Sequence, residues 1–273
     1  MTPLSSSLSL DARQRAMLAE MGVRTWVPDA PIALPVTQPV TQPAALPAVT
    51  IAAAPSRLPL PAQALAPAHA QAPAPLQVSG RIVEGLDRMD WPALREAVTA
   101  CRACALCEGR RQTVLGTGDL HADWLIVGEA PDEDEDRQGE PFAGPAGQLL
   151  DNMLKAMGLS RGHKVFIANA LKCRPPASRN PQPDEVAQCE PFLQRQVALL
   201  QPKIILAMGR FAVQSLLQTA EPLGRLRGRV HQYQGVPVVV TYHPAKLLHN
   251  QADKGKAWAD LCLAMHQVQS SPD

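Results

Sequence analysis

Four short apolar runs, mostly β-branched, organise the chain beyond about residue 120: Trp124–Val127, Val165–Asn169, Lys203–Ala207 and Val236–Tyr242. Such runs, flanked by Gly, Pro or Asn, suit strands buried on both faces of a sheet. Between them apolar residues recur at helical spacing over Gly147–Met157, Asp184–Leu200 and Arg210–Leu217, and a last helical pattern covers Lys254–Val268. A further helix, ending in WPALREAVTACRAC, precedes the first strand. Strands that alternate with helices of this length pair in parallel through right-handed crossovers. The expected fold is α/β, a three-layer sandwich with a central parallel sheet of about four strands.

The pattern is different ahead of this domain. Residues 1–27 hold one helical stretch, LSLDARQRAMLAEMGVRTW, with Ser9 or Asp11 as N-cap, Met17, Leu18 and Met21 at helical spacing, and Gly22 as the stop. Residues 28–82 are dominated by Pro and Ala, as in PVTQPVTQPAALPAVTIAAAP. That composition cannot fill a core and favours extended polyproline II. The expected organisation is a short N-terminal helix (a docking peptide for an unidentified protein partner, or incidental), a disordered Pro/Ala-rich linker, and an α/β domain over residues 83–273.

With 273 residues, 46% of them hydrophobic, the chain can bury a full core. A net charge of +1 does not by itself announce nucleic acid, so any such contact needs a local basic patch. No apolar leader and no apolar run of membrane-spanning length are visible, and a monomeric, cytoplasmic protein with no membrane partner is expected. In that setting the six cysteines read as ligands, reactive groups or core rather than as disulfides.

The candidate chemistry lies where the strands end. Gly128-Glu129, Asn169, Gly209-Arg210 and His243-Pro244 each follow a predicted strand. In a parallel sheet all these ends share one edge, the edge that binds ligands. A carboxylate, an amide, a loop glycine and an imidazole therefore meet at one crevice. Cys101 and Cys104 form a C-x-x-C that Cys107 extends, Cys173 follows the second strand, Cys189 lies on the next helix, and Cys262 belongs to the last helix as core. Cys101, Cys104, Cys173 and Cys189 are able to close around one cubane cluster; the spacing also leaves zinc, or no metal, open.

The segments GEAPDEDEDRQGEPFAGPAG, IANALKCRPPASRNPQPDEVAQCEPFLQRQ, IILAMGRFAVQSLL and VVVTYHPAKLL, in that order, resemble the family 4 uracil-DNA glycosylases, which carry an iron–sulfur cluster. The resemblance covers about Val98–Met265. It implies a monofunctional repair enzyme that flips uracil out of single- or double-stranded DNA and hydrolyses its N-glycosidic bond, leaving an abasic site. By the same resemblance Cys101, Cys104, Cys173 and Cys189 would hold a 4Fe-4S cluster, with Cys107 a bystander. Glu129 would position or activate water, Gly128 and Ala130 would border the substrate, and Phe142 would stack on the base. Asn169 would read the pyrimidine edge, His243 would steady the departing base, and Leu247 and Leu248 would fill the gap in the duplex. Arg174, Arg179, Arg210, Lys246 and the Arg225–Arg229 cluster are expected to face phosphates. Asp132 departs from the family's usual glycine, and Lys246 and His249 depart from its usual loop after the histidine. Gly144-Pro145 also occurs in a branch that traps uracil-DNA covalently, but that branch's inserted basic loop is absent from Leu171–Pro175, so turnover is expected.

Overall fold

A computed structural model describes Glu20 and residues 85–270. The expectations for residues 1–27 and 28–82 otherwise lie outside the described residues, as does the whole of a second unit of the chain, Trp26–Leu76. The Glu20 carboxylate pairs with Lys155 Nζ at 3.3 Å. In chain order the elements are helices α1 (Trp91–Ala100) and α2 (Leu106–Gly109), strands β1 (Thr117–Gly118) and β2 (Trp124–Gly128), helices α3 (Glu133–Gln138) and α4 (Gly144–Ala156), and strand β3 (Val165–Asn169). There follow helix α5 (Pro183–Leu200), strand β4 (Ile204–Met208), helices α6 (Arg210–Leu217) and α7 (Leu223–Leu226), strands β5 (Val230–Tyr233) and β6 (Val236–Thr241), and helices α8 (Pro244–His249) and α9 (Lys254–Ser270).

The sheet runs β1-β3-β2-β4-β6-β5. Its inner four strands are parallel, as the apolar runs imply, while β1 and β5 are added antiparallel at the edges. These edge strands were not expected. Strand β1 is too short and glycine-rich to show a period, and β5 is polar because its residues alternate toward solvent. The turn from β5 to β6 did carry a signal: Gln234 and Gly235 both have positive φ, 50° and 82°, as a tight right-twisting hairpin requires.

Strand alternation sorts the core into two layers. Trp124, Ile126, Ile167, Ile204, Leu206 and Val239 pack against α4, α8 and α9. Leu125, Val127, Ala168, Ile205, Ala207 and Val240 pack on the other face against α5, α6 and α7. This is the expected three-layer sandwich. Helix α1 sits outside it, burying Leu94 and Val98 with Leu115 and Phe192 in a separate small core.

One buried ion pair ties the last helix to the segment between α7 and β5. Arg227 Nε donates to Asp260 Oδ2 at 2.7 Å, and the two side chains are 12% and 2% exposed. The guanidinium also donates to Lys256 O and lies 4.4 Å from the centroid of the Tyr242 ring, next to His243. Removing one partner strands the other charge out of water. Asp260→Ala is expected to lower the unfolding free energy by about 3 kcal/mol, read from urea denaturation.

Candidate active site

The chain passes from β2 to β3 on one side and places β4 on the other, so it reverses direction between β2 and β4. Open α/β sheets bind ligands at such a switch point, beyond the carboxyl ends of the strands. Gly128 and Asn169 are register partners at the ends of β2 and β3. A Cβ on Gly128 would lie 2.4 Å from Asn169 Oδ1 and 2.7 Å from the Phe142 ring. The missing side chain is what lets the amide and the ring meet over the strand end. Phe142 is buried with φ at 53°, a left-handed conformation that costs an aromatic residue energy and must be held. Arg161 holds it from one side, donating to the carbonyls of Pro141 at 3.0 Å and Phe142 at 2.8 Å. On the other side the Phe142 N–H donates to Glu135 Oε1.

Glu135 was hidden in what reads as an acidic loop. That stretch is instead helix α3, and its start is a capping box. Asp132 Oδ1 accepts from Glu135 N at 2.9 Å, while Glu135 Oε2 accepts from Asp132 N at 2.7 Å. The Asp-x-x-Glu spacing was the signal in the sequence. Glu135 Oε1 also accepts from Asn169 Nδ2 at 3.4 Å, so one buried carboxylate touches both residues expected to recognise the base. Burial pushes Glu135 up to about 7, against the opposing pull of the Phe142 and Asp132 N–H groups. Asp132, the departure from glycine, is exposed and turned into the cap rather than the crevice.

Glu129 follows β2 and His243 follows β6. Glu129 Oε1 accepts from Phe211 N at 3.0 Å, at the start of α6. Burial raises its pKa; the Phe211 and Arg210 N–H groups and the Arg210 charge pull it back. Gly209, with φ 96°, makes the contact possible, since a Cβ there would fall 2.5 Å from Glu129 Oε1. Ala130 follows, partly buried against the α5–α6 side of the core. His243 caps α8, its Nδ1 accepting from Ala245 N at 3.3 Å. With Nδ1 an acceptor, the imidazole proton belongs on Nε2. Burial lowers the His243 pKa to about 4, so the ring is neutral at physiological pH. Its plane lies 21° from that of Phe142, with centroids 5.0 Å apart.

The segment after His243 is helix α8 rather than a loop, and it separates the two leucines expected to enter DNA. Leu247 is 0% exposed and belongs to the core, whereas Leu248 is 38% exposed. Of the two, only Leu248 reaches the surface. The expected phosphate contacts are also modified. Arg174 pairs with Glu133, Arg179 with Glu185, Arg229 with Glu221, and Lys246 with Asp253. Such pairs are weak where exposed and can be exchanged for phosphate. Arg227, committed to buried Asp260, cannot be exchanged in this way.

Away from the crevice, Cys101, Cys104, Cys107, Cys173 and Cys189 line one small cavity together with Arg110 and Lys172. Cys107, expected as a bystander, is part of that lining. None of the five is in a disulfide. Burial pushes Cys104 up to about 11 and Cys189 to about 12, and raises Cys173 against the pull of Arg110. Arg110 Nη1 donates to Cys173 Sγ at 3.1 Å. Lys172 is fully buried, which lowers its pKa to about 8. Among the described residues no three His, Cys, Asp or Glu side chains converge closely enough to hold a single ion. Arg161, Lys172 and Arg110 carried no motif that marked them in advance.

The close approach at Gly128 can be tested directly. Gly128→Ala inserts a methyl group where no space exists and is expected to cost about 1–3 kcal/mol of stability in urea denaturation, the usual range for overpacking. A neutral result would mean that the amide and ring are not held against the strand end.

A model of the uracil DNA glycosylase superfamily matches residues 115–262. A type-4 uracil-DNA glycosylase of Pyrobaculum aerophilum is 40% identical over 183 residues, 64% of this chain and 93% of the relative. Another from Archaeoglobus fulgidus is 41% identical over 160 residues, 56% of this chain and 80% of the relative, and one from Sulfurisphaera tokodaii is 40% identical over 166 residues, 58% and 75%. The family model covers β1 to α9 and with them the strand ends that form the crevice, and the chain belongs to the type-4 uracil-DNA glycosylases of that superfamily.

Proposed function

We propose that the chain removes uracil from DNA by hydrolysing its N-glycosidic bond, leaving an abasic site. The observation that carries this reading is the His243 ring, 21° from the plane of Phe142 with centroids 5.0 Å apart, whose Nδ1 accepts from Ala245 N and so leaves Nε2 to carry the proton. A base stacked flat on Phe142 then lies close to the imidazole plane and presents its edge to the Nε2–H donor. Uracil cannot be reached inside a duplex and must be turned out of the stack, at a few kcal/mol. Asn169 supplies a donor and an acceptor side by side, matching uracil O4 and N3–H and opposing the reversed pattern of cytosine. One Nδ2 hydrogen is already directed at Glu135, which fixes which way the amide faces.

Bond cleavage leaves positive charge on the sugar and negative charge on uracil O2. His243 Nε2–H stabilises that anion as a preorganised neutral donor. Glu129 has one oxygen on the α6 N–H and the other available to orient water, and its charge favours the cationic sugar. Leu248, exposed on α8, would occupy the gap left by the base, and Arg174, Arg229 and Lys246 would turn from their carboxylates to phosphates.

The donor chemistry of the cysteine cavity supports an iron–sulfur cluster: five thiols line it, and the buried Lys172 beside them has only neutral hydrogen-bond acceptors. Cys101, Cys104, Cys173 and Cys189 would hold a 4Fe-4S cluster, with Cys107 on the same wall. Such a cluster would supply anionic charge and a covalent tie between α1, the loop after β3, and α5.

The test is release of uracil from an oligonucleotide with one U·G pair, read as strand breakage after alkali. Wild-type protein is expected to cleave, Glu129→Gln to lose most activity, and His243→Ala to fall about 10²–10³-fold in kcat. A folded protein that binds the DNA and leaves it intact would sink the proposal. The pH profile provides a second check. Glu135 accepts three N–H donors as an anion, and a proton on it would turn an acceptor toward donors. Activity is therefore expected to fall as pH drops through about 7, the value to which burial lifts Glu135, while His243 stays neutral down to about 4. Glu135→Gln should remove this acid limb; a limb that survives in the variant must belong to another group.

A further inference from the structure

Lys172 is used by none of the chemistry above, yet it is 1% exposed. Its Nζ donates to the backbone O of Asn169 at 2.7 Å and to Gln196 Oε1 at 2.6 Å. Gln196 cannot turn away, because its Nε2 is committed to Leu115 O at 2.8 Å. Both partners are neutral, and the cavity that Lys172 lines is otherwise walled by cysteines, Arg110 and uncharged side chains, with no carboxylate among them. An ammonium removed from water with only neutral acceptors is expensive, so native structures pair it or place it beside an anion. The anion here must come from the cavity that Lys172 and the five cysteines line together. The other end of the same group holds the carbonyl of the residue whose side chain faces the base. Lys172 thus links the cysteine cavity, which it lines, to the backbone of Asn169 at the end of β3.

We propose that Lys172 is a positioning residue that couples the two: its ammonium is the buried counter-charge of a thiolate-held iron–sulfur cluster and, through the Asn169 carbonyl, fixes the base-reading end of β3. The inference rests on the cluster reading of the cavity. It predicts that cluster properties and uracil excision respond together to this side chain, although Lys172 touches no base and lies outside the crevice.

The experiment uses purified, iron-loaded full-length protein: wild type, Lys172→Met, Lys172→Gln and Lys172→Arg. Three quantities are read: the reduction potential of the cluster by voltammetry without DNA, the rate at which its visible absorption bleaches under EDTA, and the single-turnover excision rate on the U·G oligonucleotide. Met and Gln remove the charge and are expected to shift the potential to more negative values and to bleach at least tenfold faster. Gln keeps a donor for the Asn169 carbonyl and should retain more excision than Met, which should lose at least tenfold. Arg keeps the charge in a different shape, so its potential and bleaching should match wild type while excision falls. Unmoved potential and bleaching in the neutral variants overturn the proposal. If the neutral variants do not accumulate, Arg decides alone: a shifted potential or unchanged excision overturns it. Wild-type protein that purifies without iron and sulfide would overturn the cluster reading itself, whereas iron-loaded wild type with unresponsive variants overturns only the coupling.

Discussion

The proposed base pocket depends on the carboxylate of Glu135. Without an acceptor at that point the Phe142 N–H, the Asp132 N–H and one Asn169 hydrogen lose their common partner in a place closed to water. Phe142 would then be held at positive φ by Arg161 alone, and the ring and the amide would lose the acceptor that they share. The cost of burying this carboxylate appears in its raised pKa, and helix α3 exists largely to place it. The same dependence explains why aspartate is tolerated at position 132. Aspartate and glycine are both acceptable N-caps, and the side chain faces the helix end.

Around this point the site is assembled before any ligand arrives. The imidazole is neutral because it is buried and oriented because α8 begins there. Glu129 is anchored on the first turn of α6 through a glycine that leaves it room. The surrounding cations are largely paired with carboxylates already, so the proposed DNA association is an exchange of partners. Exchange of this kind is sensitive to salt, because the protein pairs and the phosphate contacts are both screened.

Much of this was legible in the chain. Long apolar runs buried on both faces produce an unambiguous signal, so β2, β3, β4 and β6, and the convergence of Glu129, Asn169 and His243 on one edge, follow from pattern and parallel pairing. Edge strands β1 and β5 escaped because edges are short and half-polar. Helix α3 escaped because its charged residues resemble a solvated loop, although its capping spacing was visible. Leu247 and Leu248 are adjacent in sequence and differ only in the helix face they occupy, which becomes apparent once α8 is known to be a helix. Lys172 was the least legible: a lysine gives no sequence sign that it is buried, and its meaning depends on two cysteines and a glutamine brought together by the fold.

Preorganisation of the imidazole is most directly tested by ¹⁵N NMR of His243 in the free protein, with the ring nitrogens resolved against a His243→Ala control. At pH 6 the structure requires a neutral ring with Nδ1 unprotonated and hydrogen on Nε2. An imidazolium at that pH, or a neutral ring with its hydrogen on Nδ1, would mean that the donor facing the base is not built in advance, and the proposed stabilisation of the leaving base would not stand.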